Sequence, residues 1–303
     1  MPYRIVVSAK QVPDTKNITG EAMKPDGTIN RAALPAVFNP EDKNALELVL
    51  ALRDRHGGKV TVITMGPPRA ADILRDALQL GADAVVLLTD IGFAVADTLA
   101  TSYTLAKAVE RTGGADLVLC GRQAIDGDTA QIGPQLAGRL GVPQITYVTE
   151  VLSLADRTIT ARRLIDGGYE TVRATLPVLL TVTSEANEPR PPRAKLLLKY
   201  RKARSPSELA RLIDPERKLP PEELEQKLKE KEWEYGQRGL LIPEWDGAAI
   251  AADMAQCGYV GSPTRVMKVE SAILKHTKHK RVEPTDDGLR DLFHELAKDH
   301  VLG

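Results

Sequence analysis

The chain predicts an α/β fold built on an open parallel sheet, and three observations carry that prediction. Over residues 1–145, short apolar strands alternate with helices of 3.6-residue periodicity, which is the pattern of βαβ units joined by right-handed crossovers. The run Ala115-Asp116-Leu117-Val118-Leu119-Cys120 is apolar enough to be a strand buried on both faces. Between it and the next helix lies a long loop, Gly121-Arg122-Gln123-Ala124-Ile125-Asp126-Gly127-Asp128-Thr129-Ala130-Gln131-Ile132-Gly133-Pro134. Open α/β sheets bind ligands at the carboxyl ends of their strands. Free N–H groups at a helix N-terminus suit phosphate there.

The elements follow in order. Arg4 to Ser8 is a strand. Glu41 to His56 is a helix with Leu46, Val49, Leu50 and Leu52 on or near one face. Lys59 to Met65 is a strand, and Arg69 to Leu80 a helix stopped by Gly81. Ala84 to Leu88 is a strand; Asp97 then caps a helix running to Arg111. Beyond the Gly121 loop, Gln135 to Leu140 is helical. The pattern then changes to β-branched strands at Ile145 to Val151, Thr158 to Leu164, Tyr169 to Leu176 and Val178 to Thr183. Asp166-Gly167-Gly168 is a hairpin turn signal between two of them.

After Glu185 the character shifts again. Asn187-Glu188-Pro189-Arg190-Pro191-Pro192-Arg193 holds three prolines and reads as an extended arm with no packing of its own. Lys195 to Lys202 is basic, Pro220 to Glu234 is a charged helix, Ala248 to Ala255 a short apolar helix, and Gly288 to His300 an amphipathic one. The sequence therefore divides into an α/β domain at 1–185, an arm at 186–204 and a tail at 205–303. The tail is too poor in large apolar residues for a core of its own, and is expected on the domain's surface or a partner's.

Forty-one basic and 41 acidic residues cancel, which argues against a nucleic-acid binder. No apolar run of 18 residues is present, so no membrane span is expected. The first residues read as a strand, and no signal peptide is expected. Its two cysteines, Cys120 and Cys257, lack metal spacing, and a cytoplasmic, reduced setting is expected. His276, His279, His294 and His300 read as surface histidines. No catalytic residue and no metal site is expected: serine-hydrolase, zinc and Walker lysine patterns are all missing.

The positive evidence is convergence. Ser8-Ala9-Lys10, Met65-Gly66, Asp97-Thr98 and the Gly121 loop all fall at one strand edge, joined by Asn39-Pro40-Glu41-Asp42 at a helix start. Lys10 meets a phosphate or caps a strand end. Thr98 and Thr101 stand one helical turn apart. Together these favour an adenine nucleotide or dinucleotide held by backbone amides.

The Gly121 loop, the segment Arg162-Arg163 to Asp166-Gly167-Gly168-Tyr169-Glu170 with Leu176-Pro177, and Asn187-Glu188-Pro189-Arg190 together resemble the β subunit of electron transfer flavoprotein. The resemblance covers about residues 1–204. It implies a Rossmann-like, adenine-nucleotide-binding sheet and an α subunit as obligate heterodimer partner. It also implies contacts to the nucleotide from Ser8, Asn39 to Asp42, Met65 and Gly121 to Ile132. A recognition loop at about Val182 to Arg204 would dock a dehydrogenase of acyl-CoA type, or a quinone- or ferredoxin-linked partner, which allows peripheral membrane association through partners. Ordinary members hold a structural AMP under a more acidic loop. The wording Asp126-Gly127-Asp128-Thr129-Ala130-Gln131-Ile132, with Asp97 to Tyr103, resembles instead the electron-bifurcating branch and its nitrogen-fixation-linked relatives. That implies FAD in the AMP position and NADH as donor; the small Gly127 would let a pyrophosphate approach the backbone. An AMP-holding subunit and a stress-type nucleotide module without redox role are the alternatives. Gly261 to Val266 resembles a family segment that usually follows the recognition loop sooner, so about 218–259 reads as an insertion.

Overall fold

A computed structural model describes residues 2–14, 35–265 and 281–298. Two compact units are present, Met1–Arg265 and Val266–Gly303. In the first, the strands are β1 (Tyr3–Ser8), β2 (Gln11–Pro13), β3 (Ala36–Phe38), β4 (Gly58–Met65), β5 (Ala84–Leu88), β6 (Leu117–Gly121), β7 (Gln144–Ala155), β8 (Thr158–Ile165), β9 (Gly168–Thr175), β10 (Val178–Val182) and β11 (Glu244–Trp245). Its helices are α1 (Pro40–His56), α2 (Ala71–Leu80), α3 (Thr98–Arg111), α4 (Ile132–Leu140), α5 (Ala194–Tyr200), α6 (Pro206–Ile213), α7 (Pro221–Gln237) and α8 (Gly258–Gly261). The second unit contributes α9 (Asp286–Lys298), which exposes Leu289 and Phe293.

The main sheet runs β11-β5-β4-β1-β6-β10-β7-β8-β9. From β11 to β7 neighbouring strands are parallel, and β7, β8 and β9 are antiparallel. β2 and β3 form a separate two-stranded ribbon. The expected open parallel sheet with an antiparallel hairpin is thus observed. Alternation along β1 divides the interior: Ile5 and Val7 join the core built with α1 and α2, and Val6 joins the core built with α3 and α4. Helices therefore cover both faces, and the central strands are mostly apolar.

The structure corrects two expectations after residue 185. The Asn187–Arg193 arm is irregular, as three prolines require, but it does not stand free. Arg190 pairs with Glu47 at 2.8 Å and Asp54 at 2.9 Å on α1, and Asn44 donates to the Asn187 carbonyl at 2.7 Å. These polar ties are invisible to a reading of apolar periodicity. Ala248–Ala255 is not a helix; it makes turns leading to a 3-10 turn at Met254–Gln256. The tail also supplies strand β11 to the sheet edge. Ala203 and Ile242 enter one core of the domain, and Ile250 and Cys257 the other. His294 is exposed; His276, His279 and His300 lie outside the described residues, as does Val266.

Candidate functional site

Strand order places the site. From β1 the chain proceeds outward through β4 to β5, whereas β6 borders β1 on the other side and leads toward β10. The switch point of a doubly wound sheet lies where these directions part, and its crevice opens at the strands' carboxyl ends. Here those ends are Ser8-Ala9-Lys10 on β1 and Gly121-Arg122 on β6, with Val7 opposite Leu119.

The N-terminus of α1 is wedged between these ends. The buried Asp42 carboxylate accepts from the backbone N–H of Gly121 at 2.7 Å and of Lys10 at 2.9 Å, tying the two strands together. Glu41 accepts from the Gln123 N–H at 3.0 Å and from Arg122 Nε at 3.2 Å. Asn39 donates to the Gln123 carbonyl at 3.0 Å and accepts from the Ile125 N–H at 3.2 Å. The sequence suggested a helix cap at Asn39. Its side chain makes no cap bond and holds the loop instead, while Pro40 occupies the first turn. A side chain at Gly121 would meet the Asp42 nitrogen and Glu41 Cβ, both at 2.7 Å, so only glycine admits the wedge. Burial pushes the Asp42 carboxyl up to about 7, against the pull of its two backbone N–H donors and of Asn39.

Above this wedge the loop turns. The Ala124 carbonyl accepts from the N–H of Asp128 at 3.0 Å. Asp128 and Ala130 lie in the left-handed region, with φ of 48° and 53°. Such residues cost of order 1 kcal/mol each and cluster at ligand clamps. Gln131 follows Ala130 in the right-handed region, and successive conformations of opposite hand turn N–H groups to one side as an anion-binding nest. Among the described residues, the N–H groups of Thr129, Ala130 and Gln131 donate to no protein acceptor. The free N–H groups of the first turn of α4 continue the series. Gly127 has nothing within 4 Å of a Cβ position, so no packing inside the chain demands glycine there.

Side chains around the nest are mutually engaged. Lys10 Nζ donates to both oxygens of Asp126, at 2.7 and 2.8 Å, and Gln123 Nε2 donates to Asp128 at 3.0 Å. Thr98 donates to Gln131 Oε1 at 2.7 Å and accepts from Gln135 at 3.2 Å, joining the starts of α3 and α4. Asp97 is engaged in the fold: it caps α3 through the Ala100 N–H at 2.9 Å and accepts from the Thr264 hydroxyl at 2.7 Å. Thr101 is half-buried one turn on. Met65 and Gly66 end β4, one strand over, without a bond to the loop; Met65 packs into the α3–α4 core. The predicted Ser8–Lys10, Asn39–Asp42 and Gly121–Ile132 segments and Thr98 are therefore joined in one network, with Met65, Gly66, Asp97 and Thr101 around it.

Sequence reading missed Tyr147. It has φ of 58° on β7, its N–H donates to Thr181 Oγ1 at 3.0 Å, and the Arg122 guanidinium stands 5.6 Å from its ring centroid. A tyrosine in an ordinary-looking strand gives no signal; only the backbone shows the strain. Among the described residues no cluster of three or more His, Cys, Asp or Glu side chains is placed to hold a metal. Cys120 is buried, and burial pushes its thiol up, so it is no nucleophile. The site offers backbone amides, small residues and one lysine, groups whose chemistry suits a phosphate.

Known proteins resemble this chain in sequence. The electron transfer flavoprotein domain matches residues 26–218. The chain is 39% identical over 298 residues to the electron transfer flavoprotein subunit beta of Clostridium acetobutylicum, covering 98% of this chain and 99% of that protein. Over 188 residues it is 47% identical to subunit CarD of the caffeyl-CoA reductase–Etf complex of Acetobacterium woodii, covering 62% and 71%. Over 300 residues it is 38% identical to protein FixA of Sinorhizobium fredii, covering 97% and 92%. With this sheet, this loop and relatives matched end to end, the chain belongs to the electron transfer flavoprotein family as a β subunit.

Proposed function

We propose that this β subunit pairs with an α subunit and binds FAD in the crevice between β1 and β6, in a complex of the bifurcating type with NADH as donor. The observation that carries the reading is the nest: three successive N–H groups without protein partners, beside a glycine that no internal packing requires. Such a surface fits the pyrophosphate of a dinucleotide approaching the backbone closely. FAD, when bound, supplies the redox chemistry, taking hydride from NADH and passing electrons to an acceptor. The chain's own residues position it. Asp42 joins the two strand ends, Glu41 and Asn39 fix the loop backbone, and Thr98 fixes the start of α4. The arm would dock a dehydrogenase or a quinone- or ferredoxin-linked protein as acceptor.

The likeness to a subunit of a caffeyl-CoA reductase–Etf complex supports this branch. The second reading, a structural AMP in the same crevice, rests on the same nest, which takes one phosphate as readily as two. Anaerobic titration of the αβ complex with NADH tests the proposal. Bleaching of the flavin absorbance by stoichiometric NADH is expected; flavin that NADH leaves oxidised contradicts it.

A further inference from the structure

The Lys10–Asp126 pair has a use beyond holding the fold. Lys10 is anchored at its backbone on both sides: its N–H donates to Asp42 at 2.9 Å and its carbonyl accepts from the Asn39 N–H at 3.0 Å. Its side chain is half-exposed and spans from the end of β1 to the loop above β6. There it meets both oxygens of Asp126, in the stretch that leads to the nest. The other nearby groups are engaged differently. Arg122 is on Glu41 and stacks on Tyr147, and Asp128 is held by the neutral amide of Gln123.

A lysine rooted at a switch point and paired to the loop that carries an amide nest is a natural partner for a phosphate. An exposed lysine–carboxylate pair is weak. A phosphate monoester bearing nearly two charges, or a pyrophosphate bearing two in all, competes well for the same ammonium.

We propose that Lys10 is the cation that receives the nucleotide's phosphate, and that Asp126 is its displaceable counter-ion, a competitor that lowers affinity for ligands presenting a phosphate. This deepens the nucleotide reading above and rests on it. Lys10 and Asp126 are specificity-determining residues on this account. Lys10 favours a 5′-phosphorylated nucleoside or dinucleotide over the bare nucleoside, because only a phosphate can take it from Asp126, and Asp126 narrows that preference.

Binding isotherms test this on the full chain, assembled with its α subunit and depleted of endogenous nucleotide, with AMP and adenosine as probes. Lys10→Met should weaken AMP roughly ten- to hundredfold, the range of a lost charge-assisted hydrogen bond. It should leave adenosine unchanged, and Lys10→Arg should restore much of the loss. Asp126→Asn should tighten AMP about two- to fivefold, the range of an exposed ion pair. In the Lys10→Met background Asp126→Asn should do nothing, because the competitor then has nothing to hold.

An equal effect of Asp126→Asn in both backgrounds overturns the proposal, since Asp126 would then act only through its field. Weaker AMP binding by Asp126→Asn also overturns it, because the carboxylate would itself be holding the ligand. Wild-type protein that binds neither AMP nor adenosine overturns the nucleotide reading, and this proposal with it. Thermal melts of the variants matching wild type assign any change in binding to the site.

Discussion

Replacing Gly133 by alanine perturbs the junction on which the nest depends. Gly133 lies in the first turn of α4, where the helix comes down on β6 and β10. A Cβ there would overlap Thr181 Cγ2 and stand 3.1 Å from Cys120 Sγ. Two effects oppose. Alanine is the better helix former, by up to about 1 kcal/mol. The overlap with a strand side chain costs about 1–3 kcal/mol, because a packed core yields little. The overlap wins, and Gly133→Ala should destabilise by about 1–2 kcal/mol while pushing the start of α4 off the sheet.

Thr181→Ser removes the offending methyl but keeps the hydroxyl that accepts from Tyr147. Alone it should cost about 1 kcal/mol, as loss of one buried methyl does. Combined with Gly133→Ala it should cost less than the sum of the two single changes, by about 1 kcal/mol. Urea unfolding of the four proteins, with AMP affinity measured alongside, checks this. Strict additivity refutes the reasoning, because it would mean that Thr181 is not what Gly133 makes room for.

Other predictions follow from the same geometry. Asp42 titrates at about 7 in the folded chain against 3.8 for the free side chain. Its contribution to stability is therefore full below about pH 4 and is lost as pH rises through 7, a change of about 4 kcal/mol. The stability of wild type relative to Asp42→Asn, which cannot ionise, should fall by that amount over the range in urea unfolding; a flat difference would show the carboxyl ionised throughout. Arg190→Met removes the pairs to Glu47 and Asp54 and should cost about 1–2 kcal/mol. It should also slow electron delivery to a dehydrogenase acceptor at unchanged nucleotide content. Delivery at the wild-type rate would deny the arm a docking role. A Gly/Ser linker in place of residues 187–193 should behave likewise.

Much of this was legible in the sequence, for a physical reason. Strands such as Leu117–Gly121 and helices such as Thr98–Arg111 announce themselves by apolar periodicity and caps. Glycines at 121, 127 and 133 marked the loop. What stayed hidden depends on side chains meeting across long sequence distances. Nothing local says that Asn39 leaves its cap to hold residues 123 and 125, or that Asp42 joins β1 to β6. The two-residue strand β11 is too short to show a period. The arm's pairing with α1 is a matter of charges 136 and 143 residues apart. The resemblance to a flavoprotein subunit pointed to the candidate site, and the structure shows which bonds join its segments.

A dinucleotide rather than a mononucleotide is expected in the crevice between β1 and β6. The most direct measurement is to denature the purified αβ complex and count the FAD and AMP released per heterodimer. Two FAD and no AMP are expected; one FAD with one AMP would overturn the dinucleotide reading.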